Sequence, residues 1–115
     1  MPAWEDVVEL GSRFPGVEET TSYGTPALKV SSRGGMCRMR TDPDALVMRV
    51  IDMEEREALL QGDPEKFFTI PHYDGYPYVL IDLDRIDRVE LAELLEEAWR
   101  IRASKRSIAA YDEGG

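Results

Sequence analysis

The chain has one histidine, His72, and it stands two positions before Asp74 in the loop Pro71-His72-Tyr73-Asp74-Gly75-Tyr76-Pro77. An imidazole beside a carboxylate can move a proton near neutral pH, so the pair could act as general acid and base. Any nucleophilic triad would need this same histidine, and no serine or cysteine near it in sequence is recognisably activated. No phosphate-cradling or dinucleotide glycine fingerprint occurs, and Gly34-Gly35 has the composition of a turn. A lone loop histidine is more often structural than catalytic, so the expectation is a binding domain without catalytic residues or a cofactor.

The same loop is rich in rings. His72, Tyr73, Tyr76 and Tyr78, with Tyr23 from the Tyr23-Gly24-Thr25-Pro26 turn, could form a small aromatic pocket or a stacking platform for a small ligand or a protein partner. The plainer alternative is that these rings pack the open end of a sheet, because aromatic side chains supply large buried area in small domains.

A second candidate is cationic. If Leu28, Val30, Cys37, Met39, Leu46, Met48 and Val50 face a core, strand alternation sends Lys29, Arg38, Arg40 and Arg49 to the opposite face, with Arg33 at a hairpin tip. Such a face could track a phosphate backbone, and the alternative is that the cations pair with acids across strands. Five phosphate contacts would give a salt slope of only about −4.5, which describes weak, salt-sensitive binding.

Charge gives this face its context. The chain carries a formal net charge of −9 over 115 residues, which opposes non-specific contact with polyanions. Lys29 to Arg49 nevertheless holds five bases against Asp42 and Asp44, and Arg100 to Arg106 holds four bases and no acid. Two basic islands thus sit in an acidic chain. Glu5, Asp6, Glu9, Glu18 and Glu19 could attract a hard cation weakly, but their spacing forms no closed site and describes a solvated acidic face. No metal is expected.

Cys37 is the sole cysteine, so no internal disulfide can form, and its place in a strand suits a buried small hydrophobe. No apolar run approaches the roughly 20 residues of a membrane span. The first residues lack the basic start and apolar stretch of a signal peptide, which makes the cytoplasm the default location.

The elements that must position these residues follow from periodicity. Trp4, Val7, Val8 and Gly11 fall at helical spacing, predicting a helix over Ala3 to Phe14 that Pro15-Gly16 ends. Glu18 to Tyr23 is threonine-rich with strand character, and Ala27 to Ser31, Met36 to Arg40 and Ala45 to Ile51 alternate as strands joined by short turns. Asp52 with Glu55, and Asp87 with Glu90, have the spacing of helix caps. Between those helices, Phe67 to Ile70 and Tyr78 to Leu83 suggest a strand pair. Leu91, Leu94, Leu95, Ala98 and Trp99 form the stripe of the final helix. The order predicts one α+β domain over residues 1–106, with helices on one face of an antiparallel sheet and a frayed tail over 107–115.

Blocks of residues also resemble a known family. Phe14-Pro15-Gly16-Val17-Glu18-Glu19-Thr20-Thr21, Tyr23-Gly24-Thr25-Pro26-Ala27-Leu28-Lys29-Val30 and Pro71-His72-Tyr73-Asp74-Gly75-Tyr76-Pro77-Tyr78-Val79, followed by the last helix, resemble the MmcQ/YjbR family of small bacterial proteins. The likeness runs from about Trp4 to Arg102, with Tyr78 standing where the family pattern has tryptophan. The resemblance implies a frataxin-like sandwich and a DNA-binding role through a "double wing" of hairpins; it implies no catalytic residues. DNA binding through Lys29, Arg33, Arg38, Arg40 and Arg49 is therefore one expectation, and a ligand or protein site at the aromatic loop is the other.

Overall fold

The computed structural model describes residues 2–114. Helix α1 (Trp4–Gly11) leads into four consecutive strands, β1 (Val17–Ser22), β2 (Thr25–Val30), β3 (Gly34–Arg40) and β4 (Ala45–Arg49). Helix α2 (Met53–Gly62), strand β5 (Phe67–Phe68), a 3-10 turn (Pro71–Tyr73) and strand β6 (Tyr78–Ile81) follow, then helices α3 (Arg88–Arg102) and α4 (Lys105–Gly114). The six strands form one antiparallel sheet in the order β1-β2-β3-β4-β6-β5.

The caps expected from sequence form as hydrogen bonds. The Glu55 backbone N–H donates to Asp52 Oδ1 at 2.8 Å, and the Glu90 backbone N–H to Asp87 Oδ1 at 2.8 Å. Each satisfies an orphan donor at a helix start. All five stripe residues of α3 are buried, and Trp99 is fully enclosed while its indole N–H donates to the Pro15 carbonyl at 2.8 Å.

The main core lies between the helices and one face of the sheet. Leu28, Val30, Cys37, Leu46, Met48 and Val50 point into it as alternation requires, with Met39 packed against its margin. One irregularity breaks the alternation. A bulge sets both Met36 and Cys37 against the β2 residues around Leu28, so Met36 is fully buried in the same core instead of joining Arg38 on the other face.

Three boundaries differ from the sequence expectation. The first helix stops at Gly11, and residues 12–14 form turns, with the Phe14 N–H donating to the Gly11 carbonyl. Strand β5 is only two residues long, because Thr69 leaves the ladder to accept from Arg56 Nη2 at 2.8 Å and Pro71 then opens the 3-10 turn. The expected frayed tail is instead helix α4. Tyr111 packs on Phe14 and Trp99, with centroids 5.4 and 5.1 Å away, and Arg100 pairs with Asp112. Aromatic docking and this ion pair hold a 10-residue segment that is too short to be a stable helix on its own. Among the described residues no helix is long and apolar enough to cross a membrane.

Candidate functional site

The face of the sheet turned away from the helices is only half covered. A row of paired residues crosses all six strands on this side: Thr20, Ala27, Arg38, Val47, Leu80 and Phe68. At one end Val47 and Leu80 are apolar, and the 3-10 turn folds back over them, burying Tyr73 in a small second cluster with Ala45. At the other end the row falls to the small side chains of Ala27, which is buried, and Thr20, which is half-buried, and the outer cluster does not extend to them. The step from the built-up end to this lower end is an open-sided pocket of about 680 Å³.

Arg38 stands at that step. It is half-buried, and Nη2 donates to the Tyr73 hydroxyl at 2.8 Å while Nη1 donates to Thr25 Oγ1 at 3.3 Å and the Met39 carbonyl at 3.2 Å. All three acceptors are neutral. Among the described residues no carboxylate pairs with Arg38, although the chain has 23 Asp and Glu residues to choose from.

Rings surround the opening. Tyr23 and Gly24 form the two-residue turn between β1 and β2, both in the left-handed region at φ 53° and 78°. Hairpin twist demands that conformation, and glycine meets it freely while tyrosine meets it at a cost of ~1 kcal/mol. The strained tyrosine carries its ring, 91% exposed, over the Arg38 guanidinium at 5.2 Å. Opposite it, His72 meets Tyr73 edge-on at 4.8 Å, Tyr73 lies 5.7 Å from Tyr78, and Tyr76 is 57% exposed at the rim. The five rings singled out in the sequence therefore line one pocket. Packing and exposure divide among them: Tyr73 is the buried wall and Tyr23 and Tyr76 the exposed edges.

The cations differ in what they hold. Lys29 is opposite Glu18 in the β1–β2 register and pairs with it at 3.8 Å. Arg33 is not on the sheet face; its Nε donates to the carbonyl of Arg102, closing the C-terminal end of α3, while Arg102 Nε donates to the Gly35 carbonyl at 3.0 Å. Arg40 folds onto the Thr41 and Asp42 carbonyls, with its Nε buried and unpartnered among the described residues. Arg49 donates to the Val50 carbonyl at 2.8 Å and lies over the Tyr78 ring at 5.9 Å. Alternation identified the face of Lys29, Arg38, Arg40 and Arg49, and the hairpin tip put Arg33 elsewhere. In the second basic island Arg100 holds Glu96 and Asp112, and Arg102 holds the Gly35 carbonyl.

No hydrogen bond joins His72 to Asp74 among the described residues. Burial pushes the Cys37 thiol up to about 12, far from the thiolate needed for attack. The N-terminal acids have protein partners: Asp6 and Glu9 both pair with Arg88, and Glu19 accepts from the Trp4 indole at 3.2 Å. No three metal-ligating side chains converge among the described residues.

Sequence reasoning missed the hydroxyls. Thr25 binds Arg38, and Thr20 and Ser22 line the pocket beside it. Period-two alternation along β1, with Glu18, Thr20 and Ser22 on one side, was the signal that could have found them.

These features can be set against known proteins. The YjbR family model matches residues 12–101. Uncharacterized protein Rv2570 of Mycobacterium tuberculosis is 32% identical over 124 residues, covering 96% of this chain and 96% of its own, and uncharacterized protein Mb2600 of Mycobacterium bovis matches to the same extent. The crystal structure of Deinococcus radiodurans protein DR2400, with its DUF419 domain, has a TM-score of 0.74 at 21% identity, covering 99% of this chain and 89% of that one. At that identity the likeness bears on the fold alone, and the fold agrees. With the family model spanning most of the sheet and α3, the chain belongs to the YjbR family.

Proposed function

We propose that this domain is a binding module that holds a small molecule in the pocket on the outer face of the sheet, without catalysing a reaction on it. The observation that carries this reading is the convergence of Tyr23, His72, Tyr73, Tyr76 and Tyr78 around Arg38 in one concavity of about 680 Å³. Small-molecule sites have this size and this character, mostly apolar and aromatic walls with a few placed polar groups. A folded protein partner would meet a hollow where it needs a flat, extensive surface.

The test is a fragment screen by two-dimensional NMR on isotope-labelled protein, using anionic, neutral and cationic compounds at millimolar concentration. Compounds that shift the amides of Tyr23, Arg38 and Tyr73 together support the reading. A screen in which no compound of any charge moves them overturns it.

Weak duplex binding is a second reading, favoured by one observation: among the described residues Arg38, Arg40 and Arg49 have no carboxylate partner. The net charge of −9 opposes it. Fluorescence anisotropy with a labelled duplex at about 50 and about 200 mM salt separates the two, because phosphate contacts lose affinity steeply over that range.

A further inference from the structure

Resting on the binding reading above, we infer that the pocket takes a planar aromatic acid, with its carboxylate or phosphate on Arg38 and its ring between Tyr23 and the loop rings. Three observations lead to this class.

The first is the state of Arg38. A guanidinium offers five N–H donors. Three are used in the bonds to Tyr73, Thr25 and Met39, and every acceptor is neutral, so the positive charge is held in place and left unneutralised. A half-buried cation is screened less than an exposed one, and an oxyanion that reaches it gains a charge-assisted, directional bond.

The second is the sign of the surroundings. One residue in five of this chain is Asp or Glu, yet no acid lines the pocket. Glu18, on the same face of β1 as Thr20, pairs with Lys29, which itself lines the pocket. An anion entering here meets lining cations and no lining carboxylate, on a chain whose net charge is −9.

The third is the strained, exposed ring. Tyr23 is held at φ 53° with its ring 91% exposed, and Tyr76 is 57% exposed on the other rim. Backbone strain retained at an exposed aromatic is a mark of a ligand clamp, and two exposed tyrosines at the rim suit a flat π-system. Thr20 and Ser22 on the floor can donate to the same oxyanion.

The experiment titrates the full chain with four probes: naphthoate, neutral naphthamide, cyclohexanecarboxylate and inorganic phosphate. Naphthoate is expected to shift the Tyr23, Arg38 and Tyr73 amides and to bind at least about tenfold more tightly than the amide or the saturated acid. Arg38→Gln should bring naphthoate down to the affinity of the amide. Because Arg38 also braces Tyr73, Tyr23→Asn is the second variant: asparagine suits the turn, the fold stays intact, and naphthoate should weaken about fivefold or more. If naphthamide binds the same amides as tightly as naphthoate, the acid class is wrong while the pocket remains a binding site. If all four probes leave those amides unmoved, the inference is overturned. Neutral or cationic hits in the fragment screen would then show that the pocket reading survives it.

Discussion

Nη2 of Arg38 donates a 2.8 Å hydrogen bond to the hydroxyl of Tyr73, joining the middle of β3 to the loop before β6 across 35 positions of sequence. The bond fixes the arginine at the edge of the pocket and fastens the loop over Val47 and Leu80. One contact thus links the small outer cluster to the site.

Removing only the hydroxyl tests that link. Tyr73→Phe keeps the buried ring and takes one acceptor from Arg38. A loss of about 1–2 kcal/mol in urea unfolding is expected, as for a partly buried hydrogen bond to a charged donor. Ligand affinity at the pocket should fall with it, because Arg38 is no longer held in one place.

Tyr23 should show the opposite balance. Its left-handed backbone is strained, and its ring is almost wholly exposed. Tyr23→Asn is expected to raise stability by about 0.5–1 kcal/mol while weakening binding. A parallel fall in both would mean that the ring serves the fold rather than a ligand.

Cys37 gives an alkaline prediction. Burial raises its thiol from 9.0 to about 12, against a smaller opposing hydrogen bond at Leu28. Between those values the unfolded chain has released the proton and the folded chain still holds it. Stability should therefore fall as pH rises through this window, by up to about 1.4 kcal/mol per pH unit. Cys37→Ala should flatten the slope, read from urea unfolding at several pH values. Alkylation of the native protein at pH 8 should be slow and should speed up with denaturant.

Helix α4 is testable through Trp99. Tyr111→Ala removes the ring packed on Phe14 and Trp99, and a loss of about 1–2 kcal/mol with a red shift of tryptophan emission is expected. The Arg100 guanidinium holds the Asp112 carboxyl below its usual 3.8, so this ion pair supports the helix above that pH and is lost as pH falls through the lowered value. Acid should loosen α4 first, seen as faster amide exchange there.

Local chemistry accounts for what was legible without coordinates. Period-two alternation placed Leu28, Cys37, Met39, Leu46 and Met48 on one face and Lys29, Arg38, Arg40 and Arg49 on the other. The caps Asp52 and Asp87 and the stripe from Leu91 to Trp99 each depend on neighbours within one or two helical turns, so they were visible too. The rings of the site were also visible as a set, since Tyr23 and the His72–Tyr78 loop are concentrated in turns.

Tertiary structure decided the rest. The bulge that buries Met36 depends on a mismatch between two strands, and neither strand records it alone. Arg33 looked like a free hairpin tip until the end of α3, 69 positions away, offered a carbonyl. Residues 105–114 are too short a segment to hold a helix unaided, and Phe14 and Trp99 supply the surface that orders them. The pocket itself exists because Tyr73 stands over Val47 and Leu80 while the row beyond Arg38 falls to the small side chains of Ala27 and Thr20. Which half of a face is covered depends on contacts between distant segments, and periodicity carries no information about those.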